Sequence, residues 1–548
     1  MAVVTDVGAL LPAPKGEALY DRFSAALGDK TDGFLAALLR CPTAAYFRMA
    51  GTAATEEDLA AVQQVVGPGY AVMGLPSPSI PLQLPEVLMA TQREPSAGPP
   101  LPDPSAAVVV DPRCATALLR GAHLYAAGVL ACSATVKKGA PVRVWTALVE
   151  AGKRLPTKAT LMGATEAPHE CKLVRDFVGD ARWVEVGGGV FAMESREEVF
   201  RDGAVGVAVE MTTTGPLFSA GSRMPSLQSA ADALPPGVFH QHLPSAVVGR
   251  VVAAGVTEAG PVLLDMCAAP GGKTSHLGTL VRGRGGSVAA IDRSYNKVQK
   301  VQQLCDGLGL ENVRCYKFDS ARAVRKEEEA VVEDGGAEGT WSDEAEEAFQ
   351  AATLRFAKQK NAFPRIVKFV RSKAEGITRR DVEIRAKTMR VEEALAAGDF
   401  PAGPPPWAHD TFDHVLLDGP CSAMGQKPLL NWDYKQKDVE DHAAYQRAFL
   451  VAAAKLVKVG GTVTYSTCSV TIDENEGNVR WALDNLPLKL VDAREGVVNS
   501  PMPGLRGWAG CGVEEEHLDW VLRFDPEVFD LGFFCCKFVK TGPCVRPV

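Results

Sequence analysis

The sequence predicts an α/β fold whose main part is a doubly wound, mixed sheet, and three observations carry that prediction. Residues 263–277 read as a buried strand ending on Asp265, a turn through Gly271 and Gly272, and a helix from Thr274. That arrangement points backbone N–H groups and the positive end of a helix at a ligand. Short apolar runs at 287–292 and 313–319 each close on an acid and are separated by a helical stretch, as parallel strands joined by helices require. Residues 415–418 and 460–467 repeat the pattern, and 532–539 reads as a late antiparallel strand completing the sheet.

At 548 residues the chain exceeds what one compact core supports, so roughly two to four domains are expected. A hydrophobic content of 46% fits a soluble globular protein. The net charge of −8 does not itself call for a nucleic-acid partner, although a local basic surface can sit on an acidic chain. Thirteen cysteines without paired zinc spacings point to free thiols in a reducing compartment and to no metal site. The start, Met-Ala-Val-Val-Thr-Asp, has no basic patch followed by an apolar core, and no run is long enough to cross a bilayer, so a cytoplasmic protein with no membrane partner is expected, as a monomer.

Along the chain, residues 1–105 form an expected N-terminal helical region and linker. Leu19, Phe23, Leu27, Phe34, Leu38 and Leu39 suggest helix within 16–66, and Thr55 caps a helix opening at Glu56. Pro, Gly and Ser crowd 93–105 and mark the linker. Residues 106–215 change character: a strand near Val108, a short helix from Cys114, and strands after Gly128 and Gly139. Arg113, Arg120, Lys137, Lys138, Arg143, Lys153, Arg154 and Lys158 outweigh Asp111 and Glu150 there, the footprint that a phosphate backbone needs or a solvated basic face. Residues 216–548 hold the α/β sheet, interrupted at 320–410 by a charged insert that is acidic first, then basic. Such an insert is a solvated excursion or a second RNA contact. In the segment before the first strand, Gln241 and Ser245 can face the ligand loop, with packing as the simpler role.

The Gly-Lys-Thr ending of the first loop invites a phosphate-binding loop, but the required glycine five positions before Gly272 is Cys267. The loop instead resembles the cofactor loop of a class I S-adenosylmethionine methyltransferase. Asp292 lies 20 positions after Gly272, where such folds place an acid on the ribose hydroxyls. Lys297 follows on the next helix, and Asp319 ends the third strand within reach of an adenine amino group.

Cys421 and Cys468 follow the fourth and fifth strands, so both fall at the carboxyl edge of the sheet. Cytosine C5 is a poor nucleophile until a thiolate adds to C6 and makes C5 enamine-like. The C5 proton must then leave and the thiolate be expelled, and hydrogen bonding at N3 by a group such as Asp418 eases the attack. Two structural cysteines are the alternative, which the polar Gly/Ser/Thr loops around both disfavour.

The segments Asp265–Thr274, Asp418-Gly-Pro-Cys-Ser and Tyr465-Ser-Thr-Cys-Ser resemble the Nol/Nop/Sun family of RNA cytosine-5 methyltransferases. Residues 119–129 and 204–211 resemble a PUA domain, a small β-barrel-like RNA-binding module, and so point to the family's PUA-containing branch. The resemblance runs over most of the chain except the 320–410 insert. It implies a Rossmann-like class I fold and S-adenosyl-L-methionine as cofactor. The implied product is 5-methylcytosine at the 3′ acceptor end of tRNA, with mRNA stem-loops as a further target. It implies Cys468 as nucleophile, Cys421 as the residue assisting product release, and Lys273 and Asp418 on the target base. Cys267, Ala268, Ala269, Pro270, Gly271, Gly272, Lys273, Asp292, Lys297, Asp319 and Asp418 would line the cofactor site, and Arg120, Tyr125, Lys153 and Arg154 would contact RNA. The chain departs from the family with Gly419 in place of Ala and Ala423 in place of Gly, both small-for-small, and with Arg48-Met-Ala-Gly in place of Arg-x-Asn-Thr. The alternative is an RNA-binding protein with an inactive methyltransferase fold.

Overall fold

A computed structural model describes residues 18–93, 106–148, 182–214, 234–325, 362–373, 400–498 and 504–544, a few internal positions excepted, together with 159–161 and parts of 345–382. Three sheets organise them.

The first sheet corrects the helical reading of the N-terminal region. Helices α1 (Ala18–Leu27), α2 (Thr31–Leu39) and α3 (Glu56–Val66) form, the last behind a Thr55–Asp58 capping box. Between and after them run β1 (Ala44–Met49), β2 (Tyr70–Gly74) and β3 (Val87–Gln92). They assemble in the order β11-β1-β3-β2 with β11 (Val238–His240), a strand from nearly 190 residues later. Apolar spacing misreads β1 because five of its six residues are buried, so the run shows no alternation to set it apart from a helix.

Strands β4 (Ala106–Val110), β5 (Leu124–Tyr125), β6 (Val129–Ser133), β7 (Pro141–Leu148), β8 (Ala159–Leu161), β9 (Arg182–Phe191) and β10 (Val207–Thr214) form the second sheet, with helix α4 (Pro112–Leu119) between the first two. Its order is β5-β10-β9-β7-β4-β6-β8. Gly189 allows β9 and β10 to approach, since a Cβ there would lie 2.1 Å from the carbonyl oxygen of Glu210.

The third sheet is the doubly wound one. Helix α5 (Leu243–Ala253) leads into β12 (Val262–Asp265), then α6 (Gly272–Arg282), β13 (Ser287–Asp292), α7 (Tyr295–Gly307) and β14 (Val313–Lys317). After the insert, which includes α8 (Ala362–Arg371), come β15 (Phe412–Asp418), α9 (Gln436–Leu456), β16 (Val457–Thr467), α10 (Glu476–Asn485), β17 (Leu488–Val491), β18 (Leu522–Phe524) and β19 (Phe533–Lys540). The order is β14-β13-β12-β15-β16-β19-β17, with β18 also on β19. The first five strands are mutually parallel and β19 is antiparallel to β16. Alternate residues serve opposite cores: Leu263, Val288 and Ala290 face one, Leu264, Ala289 and Ile291 the other. Both faces of the sheet are therefore covered, as parallel sheets require. The strand order reverses between β12 and β15, so the crevice at their carboxyl ends is where a ligand is expected.

The insert leaves this frame intact because its ends are pinned together: Arg325 N–H donates to Trp407 O at 2.7 Å and Trp407 N–H to Ala323 O at 2.8 Å. Its described residues hold an apolar cluster of their own, including Phe349, Val367 and Val370. Among the described residues no helix is long and apolar enough to cross a membrane.

The sheets are joined by buried polar groups. Arg48 of β1 is fully buried, its Nε donating to Gln241 at 2.6 Å and its NH2 to Ser275 Oγ at 2.8 Å. Glu86, also fully buried, accepts from Arg250 of α5 and His276 of α6. The carboxylate of Asp530 accepts from Thr43 Oγ and Ala44 N–H and faces Lys427 at 3.6 Å. Arg120, at the end of α4, donates Nε–H to Lys427 O at 2.6 Å, which ties the second sheet to the third.

Candidate active site

Strands β12, β13, β15 and β16 deliver the site from their carboxyl ends. After β12 the chain turns through Gly271, whose φ of +109° lies in the region that glycine alone adopts readily. A Cβ at that position would also press on Leu304 at 3.0 Å. Asp265, buried at the strand end, shapes the loop by accepting from Cys267 N–H at 3.2 Å and Thr274 Oγ–H at 2.8 Å. Burial pushes its carboxyl up to about 6 against those hydrogen bonds. Burial likewise drives the Cys267 thiol well up, so Cys267 is a thiol that shapes the loop rather than a nucleophile.

The residues present fit an adenosine-containing cofactor. Asp292 and Asp319 each spend one carboxylate oxygen on the local backbone, from Ser294 N–H at 2.9 Å and Ala321 N–H at 3.2 Å. The remaining oxygens are open to hydroxyl and amino donors, and both acids lie on the edge to which the Gly271–Gly272 turn belongs. Lys297 is on the exposed side of α7's first turn, with no hydrogen bond to the loop among the described residues.

Lys273 and Asp418 meet across the β12–β15 crevice at 2.7 Å. Ser466 Oγ–H donates to the other Asp418 oxygen at 2.6 Å, and Lys273 Nζ also reaches Ser245 Oγ at 3.2 Å. Burial opposes the charge on Lys273, but Asp418 outweighs it and holds the ammonium above its ordinary pKa. Asp418 thus carries two donors, the pattern of a carboxylate.

Cys421 and Cys468, which are 47 residues apart, meet with their sulfurs 3.3 Å apart. The two thiols are unequal. A hydrogen bond from Cys421 lowers the Cys468 pKa, helped by the Gln426 amide at 3.7 Å and by Lys273, against the cost of burial and the charge of Asp418. Cys421, as the donor and buried, is held well above the ordinary thiol value. The asymmetry makes Cys468 the more readily ionised of the two sulfurs. Gly425 closes the gap between their loops: its N–H donates to Cys468 O at 2.9 Å and its carbonyl accepts from Gly532 at 2.8 Å. A Cβ on Gly425 would sit 1.9 Å from Gly532 O.

Gln241 and Ser245 both take packing or positioning roles here, on Arg48 and Lys273. Arg120 is partly buried at the joint and near enough to Cys468 to feel its charge. Tyr125 is 44% exposed on β5. Lys153 and Arg154 lie outside the described residues.

Sequence reasoning missed Gln426, Glu474 and the Arg48–Glu86–His276 cluster. Gln426 sits five residues after Cys421 in a segment with no periodic signal. Glu474 stands just ahead of α10, in no motif of its own. Arg48 and Glu86 act through partners about 190 residues away, which no local pattern reveals.

The model of a family described as 16S rRNA methyltransferase RsmB/F matches residues 256–333 and 364–498. The chain is 32% identical over 483 residues to an rRNA (cytosine-C(5))-methyltransferase, NOP2C, of Arabidopsis thaliana, covering 81% of this chain and 74% of that one. It is 29% identical over 459 residues to the human tRNA (cytosine(72)-C(5))-methyltransferase NSUN6, covering 79% and 75%. The crystal structure of NSun6 from Pyrococcus horikoshii with SFG matches at a TM-score of 0.59 and 24% identity, covering 96% of this chain and 98% of that one, so the fold is shared along the chain.

Proposed function

This chain belongs to the RsmB/F (NSUN) family of S-adenosylmethionine-dependent RNA cytosine-5 methyltransferases, and from that premise we propose that it methylates cytosine at the 3′ acceptor end of tRNA through a covalent adduct on Cys468. The observation that carries the mechanism is the pair of cysteine sulfurs 3.3 Å apart, set beside the Lys273–Asp418 pair at the carboxyl edge of the sheet. The tRNA acceptor end is favoured by the tRNA (cytosine(72)-C(5)) activity named for the human relative. Stem-loops in mRNA that carry a similar sequence are a second target, and the cytoplasm is the site of action of a monomer.

Cofactor contacts are proposed for the 267–273 loop, Asp292, Asp319 and Asp418, with Lys297 at the margin. When bound there, the cofactor supplies an electrophilic methyl group. The chain's own residues do the rest. The target base leaves its stack, because C5 and C6 are out of reach in a helix. The Cys468 thiolate adds to C6, forming a C–S bond and pushing electron density onto the ring. Lys273, held charged by Asp418, offsets that charge from the base edge. C5, now enamine-like, takes the methyl group; solvent water then accepts the C5 proton, the C5–H electron pair re-forms the C5–C6 double bond, and the C6–S pair returns to Cys468 as thiolate, with Cys421 beside the breaking bond. Residues 106–215 act as the PUA domain and hold the RNA end, through Arg120 and Tyr125 together with Lys153 and Arg154. RNA ends of this kind are read by shape and backbone contacts.

Purified protein incubated with tRNA transcripts tests the roles. Cys468→Ala abolishes turnover, by the several orders of magnitude that loss of a nucleophile costs. Cys421→Ala accumulates an RNA–protein adduct that survives denaturing electrophoresis. A Cys421→Ala protein that loses activity without trapping RNA contradicts the division of roles, and an active Cys468→Ala protein contradicts the adduct.

A further inference from the structure

Glu474 lies outside every role assigned above, yet it sits where the two cysteine loops meet. It is fully buried, and every donor it receives comes from an uncharged group. Its Oε1 accepts from Ser422 N–H at 2.8 Å and Gln446 Nε2–H at 3.0 Å. Its Oε2 accepts from the hydroxyls of Ser422 at 2.6 Å, Ser469 at 2.5 Å and Thr471 at 2.9 Å. Ser422 directly follows Cys421 and Ser469 directly follows Cys468, and their hydroxyls are 3.0 Å apart. One carboxylate therefore holds both neighbours of the catalytic sulfurs.

We propose that Glu474 is a positioning residue that fixes the separation of the two sulfurs and, with its carboxylate bonded to the peptide N–H that follows Cys421, makes Cys468 rather than Cys421 the nucleophile. The inference rests on the two-cysteine reading of the site. A buried carboxylate without a cation is costly, and five donors are what make it tolerable. A side chain present only to fill space needs no charge there. The charged and titratable groups around the sulfurs are Lys273, Asp418, Arg120, Tyr434 and Glu474. The hydrogen bond to Cys468 and burial raise the Cys421 thiol most and Glu474 adds to them, while at Cys468 the Asp418 charge opposes that of Lys273. The loop geometry agrees, since Tyr434 Oη–H donates to Ser422 O at 2.7 Å and Asn475 Nδ2–H to Ser469 O at 3.0 Å. Each cysteine neighbour is thus anchored again on its far side.

Glu474→Gln keeps the size and removes the charge. Limited alkylation of the RNA-free, full-length protein with iodoacetamide near neutral pH, read by peptide mass spectrometry, gives the ratio of label on Cys468 to label on Cys421. This readout needs no RNA, so its failure is distinct from a wrong substrate assignment. The wild type labels mainly at Cys468. In Glu474→Gln the ratio drops about tenfold, as one pKa unit of lost discrimination requires, and kcat falls by up to about 100-fold, as a misplaced reacting group costs, with cofactor affinity retained. A folded Glu474→Gln protein with the wild-type labelling ratio and kcat overturns the proposal. Should that variant not fold, Ser422→Ala with Ser469→Ala removes both hydroxyl links while keeping the charge and the backbone N–H bond of residue 422. Reduced kcat at the wild-type labelling preference then supports the proposal, and unchanged kcat overturns it.

Discussion

Ala423 has a φ of +60°, a left-handed conformation that costs a residue with a Cβ roughly 1 kcal/mol. Gly419 carries no such constraint, and a Cβ there would meet Leu417 at an ordinary 3.5 Å. Two exchanges that look equivalent as sequence, Gly for Ala at 419 and Ala for Gly at 423, are therefore unequal on the backbone. Ala423→Gly relieves the strain but gains unfolded-chain entropy, for a net stabilisation of about 0.5 kcal/mol, measurable as a raised urea midpoint with an unchanged slope. Cys421, Cys468, Lys273 and Asp418 were legible because each follows a recognisable strand or glycine turn, and the strand order then brings them together. Gln426 and Glu474 were not, since their work depends on the close approach of two loops that Gly425 and Gly532 permit.

Among the elements, the coupling of the N-terminal sheet to α5 and α6 through Glu86 has a pH consequence. Burial works against the charge of Glu86, but hydrogen bonds from His276 and Arg250 outweigh it and hold the carboxyl at about 2 against an ordinary 4.5. That depression contributes stability above the ordinary value, of the order of 3 kcal/mol, which is lost as pH falls from 4.5 toward 2. His276 acts in the same direction: burial holds it at about 4 against 6.5, so the unfolded chain takes up a proton that the folded chain refuses. Stability measured by urea unfolding therefore declines from pH 7 to pH 4. Glu86→Gln lowers the stability at pH 7 by about 3 kcal/mol, the cost of breaking a buried pair, and flattens the decline below pH 4.5. Strands β12, β13 and β15 were legible because each ends in an apolar run closing on an acid, whereas β17 and β18, four and three residues long, carry too little pattern to read. The N-terminal strands were not, because β1 finds its partner β11 about 190 residues away and its near-total burial hides the strand period.

For the whole molecule, the second sheet meets the third where Arg120 donates to Lys427 O, so a group from the proposed RNA-binding body stands within electrostatic reach of Cys468. Arg120→Ala raises the KM for RNA about tenfold, the weight of one charge-assisted hydrogen bond, while cofactor affinity stays at the wild-type value. An unchanged KM with a reduced kcat assigns the residue to the joint rather than to RNA. The central claim, methylation of cytosine at a tRNA acceptor end, is tested most directly by bisulfite sequencing of total RNA from cells with and without this protein. The account predicts that 5-methylcytosine disappears from the acceptor end of specific tRNAs in cells lacking it. A 5-methylcytosine map unchanged in tRNA and in every other RNA, with purified protein still binding S-adenosylmethionine, would contradict it.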